Sequence, residues 1–219
     1  LAKRDKEDFE GAIQDFTEAL RLNPQFANAY NSRGIAKRAK QNFEGAIQDF
    51  TEALRLNPQF DAAYNNRGTV KFDKRDFEGA IQDWTDALLL NPQFIEAYNN
   101  RGTAKYKKGD FEGAIQDFTE AIRLNPQFDA AYNNRGLAKR DKEDFEGAIQ
   151  DFTEAIHLNP QSTTTYINRG TAKYKKGDRN GAKEDFSIFL KRTENTSAPQ
   201  TVQKRQSIFK QFPELKEKQ

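Results

Sequence analysis

Residues Phe9–Phe26 read FEGAIQDFTEALRLNPQF, and the phrase returns, lightly edited, at Phe43, Phe77, Phe111 and Phe145, with a worn copy from Arg179. Each return falls 34 residues after the one before. A fixed period of that size marks an array of repeats, in which each copy is one supersecondary unit that cannot bury its apolar side alone. Between the copies runs a second phrase, AYNNRGTAKYKKGD at Ala97–Asp110, with relatives starting at Ala29, Ala63, Ala131 and Thr165. The chain is thus a two-part unit used over and over. A partial unit at 1–26 keeps a complete second segment, and full units follow at 27–60, 61–94, 95–128 and 129–162. A degenerate terminal unit at 163–196 precedes a tail of different composition at 197–219.

Within a unit the apolar spacing is helical. Phe43, Ala46, Ile47, Phe50, Ala53 and Leu54 step by three and four, one face of a 3.6-residue period. Asn42, and Asp76, Asp110, Asp144 and Asp178 at matching places, stand just before this run as N-caps, each with a side-chain oxygen for an orphan amide. Asn57-Pro58 closes the helix, because proline has no amide and disfavours helical geometry in the residue before it. The preceding segment, 27–40, carries a thinner stripe of Tyr30, Gly34, Ala36 and Lys37. Each unit therefore reads as two helices, each roughly 20 Å long, joined so tightly that they must run antiparallel. Gly34 and Ala46, repeated as Gly68/Ala80, Gly102/Ala114, Gly136/Ala148 and Gly170/Ala182, are expected where the two helices approach. Glycine within a helix costs about 1 kcal/mol against alanine, so its recurrence at one place calls for a packing reason.

An aromatic residue, Gly, then Phe-x-x-Ala, Phe, Ala and Pro at these offsets resemble the tetratricopeptide repeat. The likeness covers about residues 1–196 and rests on registered copies rather than on any single one. It implies an all-α fold: a right-handed superhelical solenoid of antiparallel helix hairpins, whose first helices line a concave groove that grips peptides or protein segments. One departure stands out. Arg33, Arg67, Arg101, Arg135 and Arg169 precede each glycine, where the family usually has leucine. Asp49, Asp83, Asp117, Asp151 and Asp185 recur in the second helices, so an arginine–aspartate pair is expected to bridge each hairpin.

If the first helices line the groove, Asn66, Asn100, Asn134 and Asn168, with Ser32 leading, form a column along its floor. An amide offers both donor and acceptor, and can bind a peptide backbone with little regard to sequence. The arrangement is similar to the asparagine ladder in the repeat domain of O-linked N-acetylglucosamine transferases. The alternative is that asparagine is simply what this much-copied unit contains. A second row, Asn31, Asn65, Asn99 and Asn133, breaks at Ile167. Further along, Phe72, Tyr106 and Tyr174 alternate with Arg38 and Arg140; these residue types anchor interfaces, or else merely cover the hinge between helices. The chaperone-tail version of the family clamps a terminal carboxylate with lysines, but the corresponding places here hold asparagine, alanine or threonine.

Composition limits the remaining choices. Charged residues make up 31% of the chain, yet aromatics reach 12% and recur at fixed places, which argues against disorder. A net charge of +2 provides no field to recruit nucleic acid or a membrane surface. There is no cysteine, so no thiolate chemistry and no disulfide framework, and the compartment stays open. No apolar run is long enough to span a bilayer. The one histidine, His157, replaces Arg123 at a helix end, and the acidic residues recur with the unit, so no catalytic, metal or cofactor constellation is singled out. Asn195-Thr196-Ser197 is a glycosylation sequon. With Leu1 in first place and no methionine, the chain is expected to be a processed product or a piece of a longer protein.

The terminal unit weakens, with Arg179 for phenylalanine and Lys183 for isoleucine, as expected where it meets water. Thr201 to Phe212 is expected to add a helix that caps it through Val202, Ile208, Phe209 and Phe212. The opposite end, around Phe9, Ile13 and Phe16, has no such cap and is expected to pack on another chain or to fray. The reading is a non-catalytic scaffold that binds an extended peptide or a helix in the groove. Its rivals are a module that stacks end to end into oligomers, and an accessory region of a larger enzyme.

Overall fold

The computed structural model describes residues 8–215. It contains twelve helices and no strand among those residues, with each helix hairpin following the two-phrase unit. The second-phrase helices, called A here, are α2 (Ala27–Ala39), α4 (Asp61–Asp73), α6 (Ile95–Lys108), α8 (Asp129–Asp141) and α10 (Thr163–Lys176). The first-phrase helices, called B, are α1 (Phe9–Leu22), α3 (Phe43–Leu56), α5 (Phe77–Leu90), α7 (Phe111–Leu124), α9 (Phe145–Leu158) and α11 (Arg179–Arg192). Helix α12 (Pro199–Gln211) and a 3-10 turn at Pro213–Leu215 follow. The chain forms two compact units, Leu1–Asp110 and Phe111–Gln219. Within each, every helix packs on the next in chain order from α1 to α6 and from α7 to α11.

The caps form as the sequence requires. Asp8, Asn42, Asp76, Asp144 and Asp178 each accept a hydrogen bond from the amide of the glycine three residues on, at 2.8 to 3.0 Å. This explains a glycine that the sequence left without a reason. A Cβ on Gly79 would stand 2.3 Å from the Asp76 carboxylate that caps its own helix. At the other end Asn57 closes α3 through its amide to the Ala53 carbonyl, while its side chain accepts from the Gln59 amide at 3.1 Å.

The A-helix glycines make room for a ring of the facing helix and, at Gly68, also for the Ala80 carbonyl. A Cβ on Gly34 would come within 2.7 Å of Phe50, and Gly136 and Gly170 stand in the same relation to Phe152 and Phe186. In the hairpin of α4 and α5 the ring is Trp84, 1% exposed, whose indole nitrogen donates to the Asn65 carbonyl at 3.2 Å. The tryptophan is thus part of the core. Around it lie Ala80, Leu88, Ala97 and Ala104, so the core is a series of small clusters between successive helices.

Successive hairpins are also joined at their edges. The ammonium at the end of each A helix reaches the glutamate that opens the B helix of the hairpin before it: Lys74 to Glu44 at 2.6 Å and Lys108 to Glu78 at 2.7 Å, with Lys40–Glu10, Lys142–Glu112 and Lys176–Glu146 repeating the link. Asn91 and Asn159 donate to Asp61 and Asp129 at 2.9 Å and secure the loops in the same sense.

Arg179 has a further role beside the expected one. It is exposed, as expected where the terminal unit meets water, and its guanidinium also lies 4.6 Å from the centre of the Phe212 ring and donates to the Gln211 carbonyl at 3.1 Å. Phe212 is fully buried, edge-on to Tyr174 at 5.6 Å and to Phe186 at 5.4 Å. Ile208 and Leu215 complete the apolar cluster under α12. At the start of the chain, Phe9, Ile13 and Phe16 are half-buried, and residues 1–7 lie outside the described residues.

Candidate functional site

The A helices carry the candidate residues, and what fixes their orientation is a charged triad behind them. Asp49, Asp83, Asp151 and Asp185, at most 4% exposed, each receive two bonds from the A-helix arginine, from Nε at 2.9–3.0 Å and from Nη2 at 2.7 Å. The expected pair is there, but it has a third member. Lys37, Lys71, Lys139 and Lys173, one turn further on, reach the second carboxylate oxygen at 2.7 to 2.9 Å. A lysine four residues after the arginine is visible in every unit, so the signal was present in the spacing. The Arg33 guanidinium is pushed above its ordinary value, first by its bond to Asp49, against the opposing effect of burial. Each arginine also lies about 5.5 to 5.7 Å from the tyrosine ring three residues before it, as Arg67 does over Tyr64.

With the arginine turned inward, its neighbouring asparagines fall between adjacent A helices. The two rows are not independent. Asn66 of α4 donates to Asn31 of α2 at 3.0 Å, and Asn168 of α10 donates to Asn133 of α8 at 2.9 Å. Asn133 in turn makes a long contact of 3.4 Å to Asn134 on its own helix. Asn65, Asn66, Asn99, Asn100, Asn133, Asn134 and Asn168 are all half-buried, as is Ser32. The rung between α4 and α6 differs, since Asn65 Oδ1 is buried with no hydrogen-bond partner. Ile167 breaks the second row and is half-buried.

The aromatic and arginine positions each have partners within the chain. Phe72 packs against Phe77 at 5.3 Å and Trp84 at 6.0 Å, and Tyr174 against Phe212, so both serve the interior of the hairpin. Tyr106 is half-buried with the Lys107 ammonium 5.9 Å from its ring. Arg38 is bound to Asp73 at 2.9 Å and Arg140 to its neighbour Asp141 at 2.8 Å. His157 is a surface residue 3.4 Å from Glu154. Among the described residues no group of three or more histidine, cysteine, aspartate or glutamate side chains is placed to hold a metal, and no helix is long and apolar enough to cross a membrane.

Comparison with known proteins agrees with this architecture. Three family models, each described as a tetratricopeptide or TPR repeat, match residues 1–59, 68–109, and 95–128 with 130–162. Among solved structures, the crystal structure of MamA is 27% identical, with a TM-score of 0.72 over 77% of this chain and 92% of that one. YrrB, described as a TPR protein with an unusual peptide-binding site, is 20% identical with a TM-score of 0.72, covering 84% of this chain and 94% of its own. PilF of Pseudomonas aeruginosa is 17% identical with a TM-score of 0.78, covering 91% and 90%. No curated protein matches the chain in sequence. From its repeat spacing, its stacked helix hairpins and these matches, the chain belongs to the tetratricopeptide repeat family.

Proposed function

We propose that this protein is a non-catalytic interaction scaffold that binds an extended peptide or a helix along its A helices. In the first compact unit the contacts come from Asn66 and Asn100, and in the second from Asn134 and Asn168. The observation that carries the reading is the way the amides pair. A rung such as Asn66–Asn31 uses one N–H and one carbonyl lone pair, which leaves further donors and acceptors on both side chains. Asn65 Oδ1 lacks even that one bond. Phe72 and Tyr174 contribute by holding the helices in place. Tyr106, Arg38 and Arg140 lie further along their own A helices. Peptide binding by YrrB, a protein of the same fold, is consistent with this use of it.

Selection of random displayed peptides on the native chain supplies the probe. The selected peptide is then titrated by calorimetry against the native chain and against two variants, one per compact unit, Asn66→Ala/Asn100→Ala and Asn134→Ala/Asn168→Ala. Loss of two amide contacts at about 1 kcal/mol each weakens binding by roughly thirtyfold. Equal affinity for all three proteins removes the asparagines from the site.

A further inference from the structure

Helices α10, α11 and α12 enclose a pocket of about 260 Å³ in the second compact unit. Its floor is apolar, made by Ile167, Tyr174, Phe186 and Ile208, and two lysines, Lys175 and Lys204, line it together with neutral polar side chains. No carboxylate lines it. Lysine is plentiful at the end of α10, but its neighbours are engaged: Lys173 pairs with Asp185 at 2.9 Å, and Lys176 pairs with Glu146. Neither Lys175 nor Lys204 has a carboxylate partner among the described residues. The shallower depression beside it, which shares Thr171 and Lys175, differs in kind, because Asp141 and Glu143 stand in its wall and Arg140 is bound to Asp141.

We propose that this pocket anchors an acidic peptide. One apolar side chain enters between Tyr174, Phe186 and Ile208, and a carboxylate on an adjoining residue is taken by Lys175 and Lys204. The proposal rests on the peptide-binding reading above and adds the chemistry of the partner. The pocket has room for an apolar side chain, its volume of about 260 Å³ lying just below the range of about 300–1,000 Å³ of drug-sized ligand sites. Charge selects its surroundings, since two cations with no carboxylate partner among the described residues favour an anion, and the acidic walls of the neighbouring depression turn that anion towards them. Lys204 belongs to α12, outside the repeats, so the site exists only where that helix closes the last hairpin. The four residues of its floor already pack as core, which pre-forms the pocket and reduces the ordering cost of binding.

The test is an amide chemical-shift titration of the full chain with three synthetic peptides at millimolar concentration. One is Gly-Ser-Glu-Leu-Glu-Ser-Gly, one has lysine in place of both glutamates, and one has serine in place of leucine. The acidic leucine peptide is expected to shift the amides of Thr171, Lys175, Ser207 and Gln211, and the other two to leave them in place. Its affinity should fall about tenfold in Lys175→Gln/Lys204→Gln and weaken with added salt. The melting temperature of that variant should match the native one, because neither lysine holds the fold together. Equal shifts with the lysine peptide, or undiminished binding to the variant, overturn the proposal. Shifts confined to α4 and α6 overturn it while leaving the wider peptide-binding reading intact. No shift with any of the three also overturns it, whereas that reading fails if the selected peptide binds the native chain and the asparagine variants equally.

Discussion

Arg67 holds Asp83 with two nitrogens, Nε at 3.0 Å and Nη2 at 2.7 Å, while its third, Nη1, reaches Thr51 of the preceding hairpin at 3.1 Å. One guanidinium thus ties α4 both to α5 and to α3. The same three contacts recur at Arg33, Arg135 and Arg169, so a bond inside a hairpin and a bond between hairpins depend on one side chain.

Replacing Arg67 by leucine leaves a carboxylate whose side chain is 2% exposed with Lys71 alone. Removing one partner of a buried pair costs about 3–5 kcal/mol, and the remaining lysine brings the expected loss to about 2–3 kcal/mol. The double change Arg67→Leu/Asp83→Leu should recover most of it, since Lys71 can extend to water along its apolar stem. Urea unfolding followed by circular dichroism separates the two; equal loss in both variants would mean that the carboxylate is not the cause.

Phe212→Ala removes a fully buried ring from the cluster under α12. The expected cost is about 3 kcal/mol, close to other phenylalanine truncations. Arg179→Ala should cost about 1 kcal/mol, the size of its ring contact and one hydrogen bond. Hydrogen exchange at α11 reads both, with faster exchange expected in each variant and the larger change in Phe212→Ala.

The turns from A helix to B helix put one residue in the left-handed region: Gln41, Arg75, Gly109, Glu143 and Gly177, at φ values from 61° to 95°. A side chain pays about 1–2 kcal/mol to be there. Arg75→Gly is therefore expected to raise stability by about 0.5–1 kcal/mol, the lower end reflecting the greater freedom of glycine in the unfolded chain. Gly109→Ala should lower it by about 1 kcal/mol. A Cβ at Gly109 would meet nothing within 4 Å, so its loss would report backbone conformation alone. Thermal unfolding of the two variants should shift in opposite directions.

The links between hairpins carry a pH signature. Bonds from Lys74 and Lys108 hold the Glu44 and Glu78 carboxyls below the usual glutamate value. A depressed carboxylate contributes stability that is complete above its unfolded value of about 4.3 and is lost as pH falls through the folded one. Melting temperature should accordingly drop as the solution is acidified below about pH 4.3. Glu44→Gln/Glu78→Gln should flatten that drop while lowering stability slightly at neutral pH; an unchanged acid limb would show that these links add nothing.

Much of the architecture was legible because it is carried by local spacing. The period of 34 residues, the three-and-four stepping of Phe43, Ala46, Ile47 and Phe50, the cap at Asn42 and the stop at Asn57-Pro58 each follow from residues a few places apart. Steric and hydrogen-bonding rules act over that range whatever the rest of the chain does. The Arg67–Asp83 pair was legible too, because one offset of 16 residues recurs in every hairpin.

What escaped the one-dimensional reading involves side chains brought together from different helices. The sequence leaves Phe72 and Tyr174 open between interface anchors and cover for the hinge between helices; in the structure both are half-buried and pack against Trp84 and Phe212. Two asparagine rows that read as parallel columns become rungs, because adjacent A helices bring Asn66 against Asn31 and leave Asn65 Oδ1 unbonded. Arg179 reads as decay of the repeat until the ring of Phe212 folds beneath it. Periodicity sets which face of a helix is apolar and where the helix must end. Which side chains then meet depends on how closely two such faces approach, and that distance is fixed by the sizes of the rings and glycines on both.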